Sequence, residues 1–262
     1  MHGAQTVIHA SAVVHPGARI DPTVSIGPYC VIGEHVEIGR GTTVASHVVL
    51  DGDIRIGEEN TIHSFNSLGG APQDKKYSGE RASVIIGNRN TIREFCTFNR
   101  GTAQDAGVTR IGDDNWIMAY VHIAHDCQVG SNTIFANNAQ IAGHVHVGDH
   151  AILGGFTVVH QFVSIGAHSI TAMGTILLQD LPPYVMAAGN TAEPHGINSE
   201  GLKRRGFSPN AISSIRNAYK TLYKSGLTLA QAKEELSGQA RDVPEIGLIS
   251  DFLSSARRGI IR

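Results

Sequence analysis

The stretch VSIGPYCVIGEHVEIGRGTTVASHVVL, residues 24–50, places an aliphatic side chain at every sixth position. The same period runs from Ile8 to Leu68 and runs again from Ile111 to Ile165. An α-helix repeats every 3.6 residues, so it cannot keep positions six apart on one face over this length. Each hexapeptide is therefore predicted to form one short strand with its aliphatic side chain inward. Three hexapeptides would close a coil of about 18 residues, and the coils would stack through parallel strand pairing.

Two polar segments interrupt the repeat and are predicted to leave the coil as loops. Residues 70–83, GAPQDKKYSGERAS, lack the aliphatic period, and so do residues 100–110, RGTAQDAGVTR. Long loops on an otherwise regular scaffold are usually functional, although an insertion tolerated at a corner is the alternative. The sequence thus predicts a mainly β fold, a parallel β-helix over residues 1–190 with two loop excursions.

The chain after this repeat carries helix signals, which predict a helical domain over residues 191–262. Its helix starts are marked by Ser208 before Pro209, by Thr228 with Gln231, and by Pro244. A serine before a helix-opening proline is an N-cap, and threonine three residues before glutamine is a capping box. The C-terminal part is therefore predicted to be a small set of α-helices.

Composition and charge narrow the class of protein. With 41% hydrophobic and 17% charged residues, disorder is not expected. The first twelve residues lack a secretory signal pattern, and no apolar run approaches the roughly 20 residues of a membrane span. The three cysteines lack metal-ligand spacing, which predicts buried free thiols and a cytoplasmic location. We expect neither nucleic-acid binding nor stable membrane insertion.

Charge is unevenly placed along the chain. The net charge is −2, yet residues 191–262 carry 11 Lys and Arg against 7 Asp and Glu, or +4. This part is either a solvated helical surface or a surface for an acidic partner.

The segment VHIAHDC, residues 121–127, places histidines and an aspartate beside the aliphatic period. Adding 18 residues gives the position stacked one coil above, so His125 is predicted beneath Gly143 and Asp126 beneath His144. The same arithmetic gathers on one edge His125, Asp126, Gly143, His144, His160 and Gln161.

These residue types suit attack of a hydroxyl on a thioester. A histidine is the simplest general base near neutral pH, and an adjacent carboxylate can fix its tautomer. A glycine can bring a backbone N–H close to a developing oxyanion. Hydrogen-bonded corner histidines without catalytic function are one alternative. Metal binding is another, disfavoured because His122 and His125 are three residues apart.

The repeat resembles the hexapeptide-repeat acyltransferase superfamily, which implies a left-handed coil. Six passages further resemble the UDP-N-acetylglucosamine O-acyltransferase family: QDKKYSGE at 73–80, VHIAHDC at 121–127, IAGHVHV at 141–147, GGFTVVHQF at 154–162, QDLPPYV at 179–185 and INSEGLKRRGFS at 197–208. The resemblance covers essentially the whole chain. It implies transfer of a 3-hydroxyacyl chain from acyl carrier protein to the 3-hydroxyl of UDP-N-acetylglucosamine, the first step of lipid A biosynthesis. It also implies a homotrimer with sites between subunits, and no cofactor.

The resemblance also implies roles for individual residues. His125 would be the general base, Asp126 would orient it, and the Gly143 N–H would be the oxyanion donor. The implied substrate-binding residues are Asp74, Lys76, His122, His144, His160, Gln161, Asn198, Glu200, Arg204 and Arg205. No metal ligand is implied.

Two further expectations concern the acyl donor. Arg216, Lys220 and Lys224 are spaced by four, so they form one basic stripe on a helix, either solvated or suited to the acidic carrier protein. Met173 stands where the family measures acyl-chain length and some members have glycine. The bulk of methionine predicts a shorter chain, nearer about ten carbons than about fourteen.

The chain departs from the family pattern at two further places. Asn99 replaces a histidine found in many relatives, and an amide cannot titrate. Arg81, Ala82 and Ser83 replace a more usual Pro-Thr-Arg run. Rival functions are the related N-acyltransferase, which normally has an extra N-terminal domain, and a zinc carbonic anhydrase of the same superfamily.

Overall fold

The computed structural model describes residues 7–256 and 258–262. Within these ranges the six-residue period forms short strands, most of them two residues long, that end on the aliphatic position. The side chains of Ile26, Ile32 and Ile38 are at most 3% exposed and belong to one continuous core. The aliphatic residue of the hexapeptide therefore faces inward, as predicted.

The strands form three sheets, parallel except for the last strand of the first sheet, and these sheets are the faces of a triangular prism. The first face contains Val7–Ile8, Ser25–Ile26, Thr43–Val44, Thr61–Ile62, Thr91–Ile92, Trp116–Ile117, Ile134–Phe135, Ile152–Leu153, Ile170–Thr171, Val185–Ala188 and Glu193–Ile197. The second face contains Val13–Val14, Val31–Ile32, Val49–Leu50, Ser67–Gly70, Thr97–Asn99, His122–Ile123, Gln140–Ile141, Val158–Val159 and Ile176–Leu177. The third face contains Arg19–Ile20, Val36–Ile38, Asp53–Ile56, Ser83–Ile86, Val108–Ile111, Gln128–Val129, His146–Val147 and Ser164–Ile165.

The strand register shows how the coils stack. His122 pairs with Gln140 and Gln128 with His146, so a coil without a loop adds 18 residues (146 minus 128). A coil that carries a loop is longer, since Thr61 pairs with Thr91, 30 residues further on (91 minus 61). Up to Ile176–Leu177, consecutive strands along the chain lie on consecutive faces, so neighbouring strands within a sheet are one full coil apart. The fold is the predicted left-handed parallel β-helix with a C-terminal helical region.

The two polar segments leave the prism as loops. The first joins strands Ser67–Gly70 and Ser83–Ile86, so it occupies residues 71–82. The second joins Thr97–Asn99 and Val108–Ile111 and occupies residues 100–107. Each loop is a little shorter than the aperiodic segment in the sequence, because strand pairing extends into the ends of those segments.

The C-terminal part contains α1 (Ser199–Arg204), α2 (Pro209–Tyr223), α3 (Leu229–Gln239) and α4 (Pro244–Ser255). The predicted caps are present: the Ser208 side chain accepts from the Ala211 N–H, and Thr228 with Gln231 makes both bonds of a capping box. The short α1 was not predicted from the sequence. β-structure continues past residue 190, because Glu193–Ile197 pairs antiparallel with Val185–Ala188. Placing the domain boundary at 190 remains a prediction.

Two hydrophobic cores hold the molecule together. The first fills the prism, and the second packs the helices around Leu202, Ile215 and Leu236. Burying one such side chain contributes about 1.5–3 kcal/mol, so the aliphatic column fixes the position of each corner it supports. The three cysteines are free and buried, as predicted. None of the described helices has the length and apolarity needed to cross a membrane.

Candidate active site

The predicted histidine cluster lies where the second and third faces meet. Asp126, His144 and Phe162 each occupy the corner with positive φ values of 59°, 62° and 66°, one in each successive coil. Their backbones are linked, since the His144 N–H donates to the His125 carbonyl and the Phe162 N–H to the Gly143 carbonyl. We call this corner the histidine edge.

The carboxylate of Asp126 is the best-anchored group on the histidine edge. Its side chain is fully buried, and Oδ2 lies 2.9 Å from His125 Nδ1. The Thr102 hydroxyl donates to Oδ2 at 2.7 Å, and the Thr102 N–H contacts both oxygens at 3.0 and 3.1 Å. The Asp126 N–H in turn donates to the Thr109 hydroxyl. A carboxylate that accepts from Nδ1–H leaves Nε2 of His125 free to take a proton.

Gly143 packs directly on the His125 ring. A Cβ built on Gly143 would lie 2.6 Å from Cε1 and 2.7 Å from Nε2 of His125, too close for any side chain. Among the described residues, the Gly143 N–H donates to no protein acceptor. The predicted pair of a histidine beneath a glycine is thus brought together, with a free N–H beside the ring.

His144 lies beside His125 at a right angle, with ring centroids 5.0 Å apart, and stacks on Phe162 at 4.3 Å. Its Nδ1 is 2.7 Å from Oδ2 of Asp105, a residue of the second loop. This hydrogen bond lowers the pKa of Asp105.

His122 lies on the second face next to the edge. Its Nδ1 is 2.7 Å from the Thr97 hydroxyl, and burial lowers its pKa, with His125 adding to the effect. A cavity of about 300 Å³ opens here, lined among others by Gln73, Asn99, His122, His125, Gly143 and Val158. The cavity combines two histidines and amide side chains with an apolar wall, which suits a polar acceptor and an acyl group.

A metal could in principle be held by His125, Asp126 and His144, whose ligand atoms lie within 4.8 Å of one another. In the structure these atoms form hydrogen bonds instead: His125 Nδ1 pairs with Asp126, and His144 Nδ1 pairs with Asp105. The arrangement is that of two histidine–carboxylate pairs.

The predicted loop residues Asp74 and Lys76 do not line the cavity. Asp74 accepts a hydrogen bond from the Lys76 N–H within the first loop, and Lys76 is exposed. It is Gln73 of the same loop that lines the cavity. His160 and Gln161 continue the histidine edge one coil above Gly143, and His160 Nδ1 lies 3.1 Å from the Gln161 carbonyl.

The four predicted residues of the tail are not brought to the histidine edge of the same chain. Asn198 is buried as the N-cap of α1, where it accepts from the Gly201 N–H and donates to the His168 carbonyl. Glu200 pairs with Lys203, and Arg204 is exposed. Arg205 lies near His150 and His168, which occupy the corner between the third and first faces. Burial lowers its pKa, and its Nε and Nη2 have no partner among the described residues.

The residues predicted to meet the acyl donor are all exposed. Met173 is 78% exposed on the corner between the first and second faces. Arg216, Lys220 and Lys224 are exposed, the first two on α2 and the last at its C-cap.

The departures from the family pattern have visible contacts. Asn99 donates from Nδ2 to the Ala71 carbonyl at 3.0 Å, while its buried Oδ1 has no partner within the described ranges. Arg81 pairs with Asp53 at 3.3 Å, Ala82 is buried, and Ser83 begins a strand. The first loop therefore rejoins the prism in regular strand register.

Sequence reasoning missed the side chains that the loops deliver to the histidine edge: Gln73, Thr102 and Asp105. The second loop was predicted to be functional, but its length does not show which residue turns inward. Thr109 was also missed, since a threonine near a strand end carries no distinctive signal.

Comparison with known proteins agrees with this architecture. The model of bacterial transferase hexapeptide repeats matches residues 5–40, 17–52 and 109–143, which places the chain among hexapeptide-repeat transferases. The model of UDP-N-acetylglucosamine O-acyltransferase, domain 2, matches residues 180–261.

Individual relatives define the family more narrowly. The acyl-[acyl-carrier-protein]–UDP-N-acetylglucosamine O-acyltransferase of Thiobacillus denitrificans is 62% identical over 203 residues, 78% of this chain and 79% of the relative. The Francisella novicida UDP-N-acetylglucosamine acyltransferase structure superposes with a TM-score of 0.97 at 43% identity, covering 98% of this chain and 94% of the other. The Moraxella catarrhalis enzyme gives 0.96 at 43% identity, covering 97% and 99%. The chain belongs to the UDP-N-acetylglucosamine O-acyltransferase family.

Proposed function

We propose that this protein transfers a 3-hydroxyacyl chain from acyl carrier protein to the 3-hydroxyl of UDP-N-acetylglucosamine, the first step of lipid A biosynthesis, in the cytoplasm. The observation that carries the proposal is the His125–Asp126 pair with Gly143 packed on the His125 ring, within this family's fold. Relatives named for this reaction share 55–62% of aligned residues with the chain, which supports the same substrates.

The reaction begins at Nε2 of His125. Asp126 accepts the Nδ1–H, so Nε2 takes the proton of the sugar hydroxyl as its oxygen attacks the thioester carbonyl carbon. A C–O bond forms, and the negative charge on the carbonyl oxygen is stabilised by the Gly143 N–H. The intermediate then expels the carrier thiolate, which recovers the proton from the His125 imidazolium. The products are the sugar ester and the free carrier thiol.

Asp126 keeps its hydrogen bonds throughout this cycle. The Thr102 hydroxyl and N–H hold its oxygens, so the carboxylate remains fixed while the imidazole beside it gains and loses a proton. The buried acid thereby stabilises the imidazolium that forms at the transition state.

We assign substrate binding to the residues that the family pattern implies. His122, His144 and His160 would line the sugar and transition-state pocket, with Asp74 and Lys76 at the sugar and phosphate. Gln161, Asn198, Glu200, Arg204 and Arg205 would hold the nucleotide. Arginine suits a diphosphate because its guanidinium can donate two hydrogen bonds to one phosphate.

A homotrimer would assemble this site. In one chain the residues assigned to the base, the acyl chain and the nucleotide lie at three different corners. His125 lies at the histidine edge, Met173 between the first and second faces, and Arg205 between the third and first. The corner between the first and second faces also exposes a stacked aromatic column that includes Tyr29, Phe65, Phe95 and Tyr120. Exposed apolar columns of this kind are typical of interfaces. A neighbouring copy would cover them and complete the site.

A transfer assay with purified protein tests the function. We expect UDP-N-acetylglucosamine and 3-hydroxyacyl carrier protein to give one acylated sugar nucleotide whose acyl group is released by hydroxylamine, as an ester is. UDP-3-O-acylglucosamine, offered as the competing acceptor, separates the N-acyltransferase reaction, whose newly formed amide would resist hydroxylamine. The proposal would be contradicted if no ester formed with an acyl chain of either about ten or about fourteen carbons.

A further inference from the structure

A second histidine–carboxylate pair stands beside the first. His144 Nδ1 lies 2.7 Å from Asp105 Oδ2 but 4.0 Å from Asp126 Oδ2, so Asp105 is its hydrogen-bond partner. The His144 side chain is only 13% exposed, whereas that of Asp105 is 48% exposed. A surface loop therefore delivers a carboxylate to a largely buried histidine of the histidine edge.

The hydrogen bond to Asp105 determines the tautomer of His144, because the other neighbours of the ring are aromatic rings packed against it. One side of the ring stacks on Phe162, and the His125 ring meets it edge-on. The hydrogen bond from His144 lowers the pKa of Asp105, so this carboxylate is ionised at neutral pH and can only accept. The proton of neutral His144 must then be on Nδ1, which leaves Nε2 as an acceptor.

The same loop also orients the first pair. Thr102 holds Asp126 through its N–H and hydroxyl, three residues before Asp105. Residues 100–107 thus contact both histidine–carboxylate pairs, one through Thr102 and one through Asp105. The second loop therefore positions groups of the histidine edge as well as covering the prism.

We propose that Asp105 is a positioning residue that holds His144 in the Nδ1–H tautomer, so that His144 Nε2 accepts a hydrogen bond from a hydroxyl of the sugar substrate. The inference rests on the proposed function for its substrate, but the tautomer of His144 does not depend on it. Asp105 touches no reacting atom and acts through His144.

A double-mutant cycle on Asp105 and His144 tests the inference. Asp105→Asn is expected to lower kcat/KM for UDP-N-acetylglucosamine roughly ten-fold or more, because the lost partner frees the ring and an amide can donate to Nδ1 and enforce the other tautomer. Asp105→Glu should recover part of the loss. In the His144→Ala background Asp105→Asn should cost nothing further. Asp114→Asn, which removes an exposed carboxylate paired with Arg89, is the matched control.

Two results would overturn the inference. One is an undiminished kcat/KM in Asp105→Asn; the other is a full loss that persists in the His144→Ala background, which would mean that Asp105 merely stiffens the loop that holds Thr102. The thermal unfolding midpoint of each variant, compared with Asp114→Asn, shows whether folding is affected.

A nitrogen-15 NMR spectrum of labelled histidines separates this inference from the proposed function. The His144 signals, identified by their absence in His144→Ala, should report protonation at Nδ1 in the wild-type protein and lose that restriction in Asp105→Ala. An Nε2–H tautomer in the wild type would overturn the inference even if transfer is found. Absence of transfer with the expected tautomer would instead contradict the proposed function alone.

Discussion

His125 and Gly143 show how the site depends on contacts at the scale of one residue. Their separation in sequence is one coil, and their contact in space leaves no room for a methyl group. The imidazole is fixed from one side by Asp126 and from the other by the Gly143 backbone. These two contacts fix the position of the His125 ring before substrate binds.

Gly143→Ala should therefore reduce activity roughly a hundred-fold, because the added Cβ must displace the His125 ring by a sizeable fraction of an ångström. Gly155→Ala is the matched control, since a Cβ there meets its nearest atom, the Asn137 carbonyl oxygen, at 3.4 Å. The measurement is kcat/KM for both proteins in the transfer assay. If Gly143→Ala and Gly155→Ala are equally active, the position of the His125 ring does not limit catalysis.

At the scale of elements, α2 presents a basic stripe that no acidic side chain of the described residues pairs with. Arg216 makes a 3.5 Å contact with the Ser199 hydroxyl, and the salt bridges of the structure include neither Lys220 nor Lys224. An unpaired stripe is free to attract an acidic protein.

Reversing two charges of this stripe, Lys220→Glu with Lys224→Glu, should raise KM for acyl carrier protein roughly ten-fold and weaken its dependence on salt. The KM for UDP-N-acetylglucosamine should stay unchanged. Arg241→Glu with Arg258→Glu, at two exposed positions outside α2, makes the same change of net charge and is the matched control. Equal effects of both changes would argue that overall charge, not this stripe, attracts the carrier.

The corner that carries Met173 should set the acyl length. The side chain is 78% exposed in one chain, and in the proposed homotrimer a neighbouring copy would complete the groove that it narrows. Met173→Gly is expected to shift preference from about ten toward about fourteen carbons, because glycine leaves that groove open. Competition between the two acyl carrier proteins measures the shift, with Leu178→Ala as an exposed apolar control. If the ratio of the two transferred acyl chains is unchanged, Met173 does not set the acyl length.

At the scale of the whole molecule, the prism was predictable from sequence and much of the site was not. The aliphatic period predicted the coil, and its 18-residue step predicted His125 beneath Gly143, because no loop interrupts the coil between these two residues. Asp105 and Thr102 escaped prediction because loop residues follow no period. Asn198 was expected to bind nucleotide, yet in the single chain both ends of its amide are occupied by backbone groups.

The junction between prism and helices should make stability depend on pH. Burial, with a contribution from Arg205, lowers the pKa of His168 to about 4, against about 6.5 in an unfolded chain. Between these values the unfolded chain binds a proton that the folded protein does not, so stability should fall as pH drops from about 6.5 to about 4. The thermal unfolding midpoint of His168→Gln should vary less over this range, while exposed His195→Gln should follow the wild type. Parallel curves for all three proteins would exclude His168 as the cause.

His125 is proposed to be the base of the acyl transfer, and the most direct test is the activity of His125→Ala in the transfer assay. We expect kcat/KM to fall roughly a thousand-fold while the thermal unfolding midpoint stays near that of the wild type. His195→Ala, which changes an exposed histidine on the strand Glu193–Ile197 of the first face, should keep full activity. Activity of His125→Ala within a few-fold of the wild type would show that His125 is not the base.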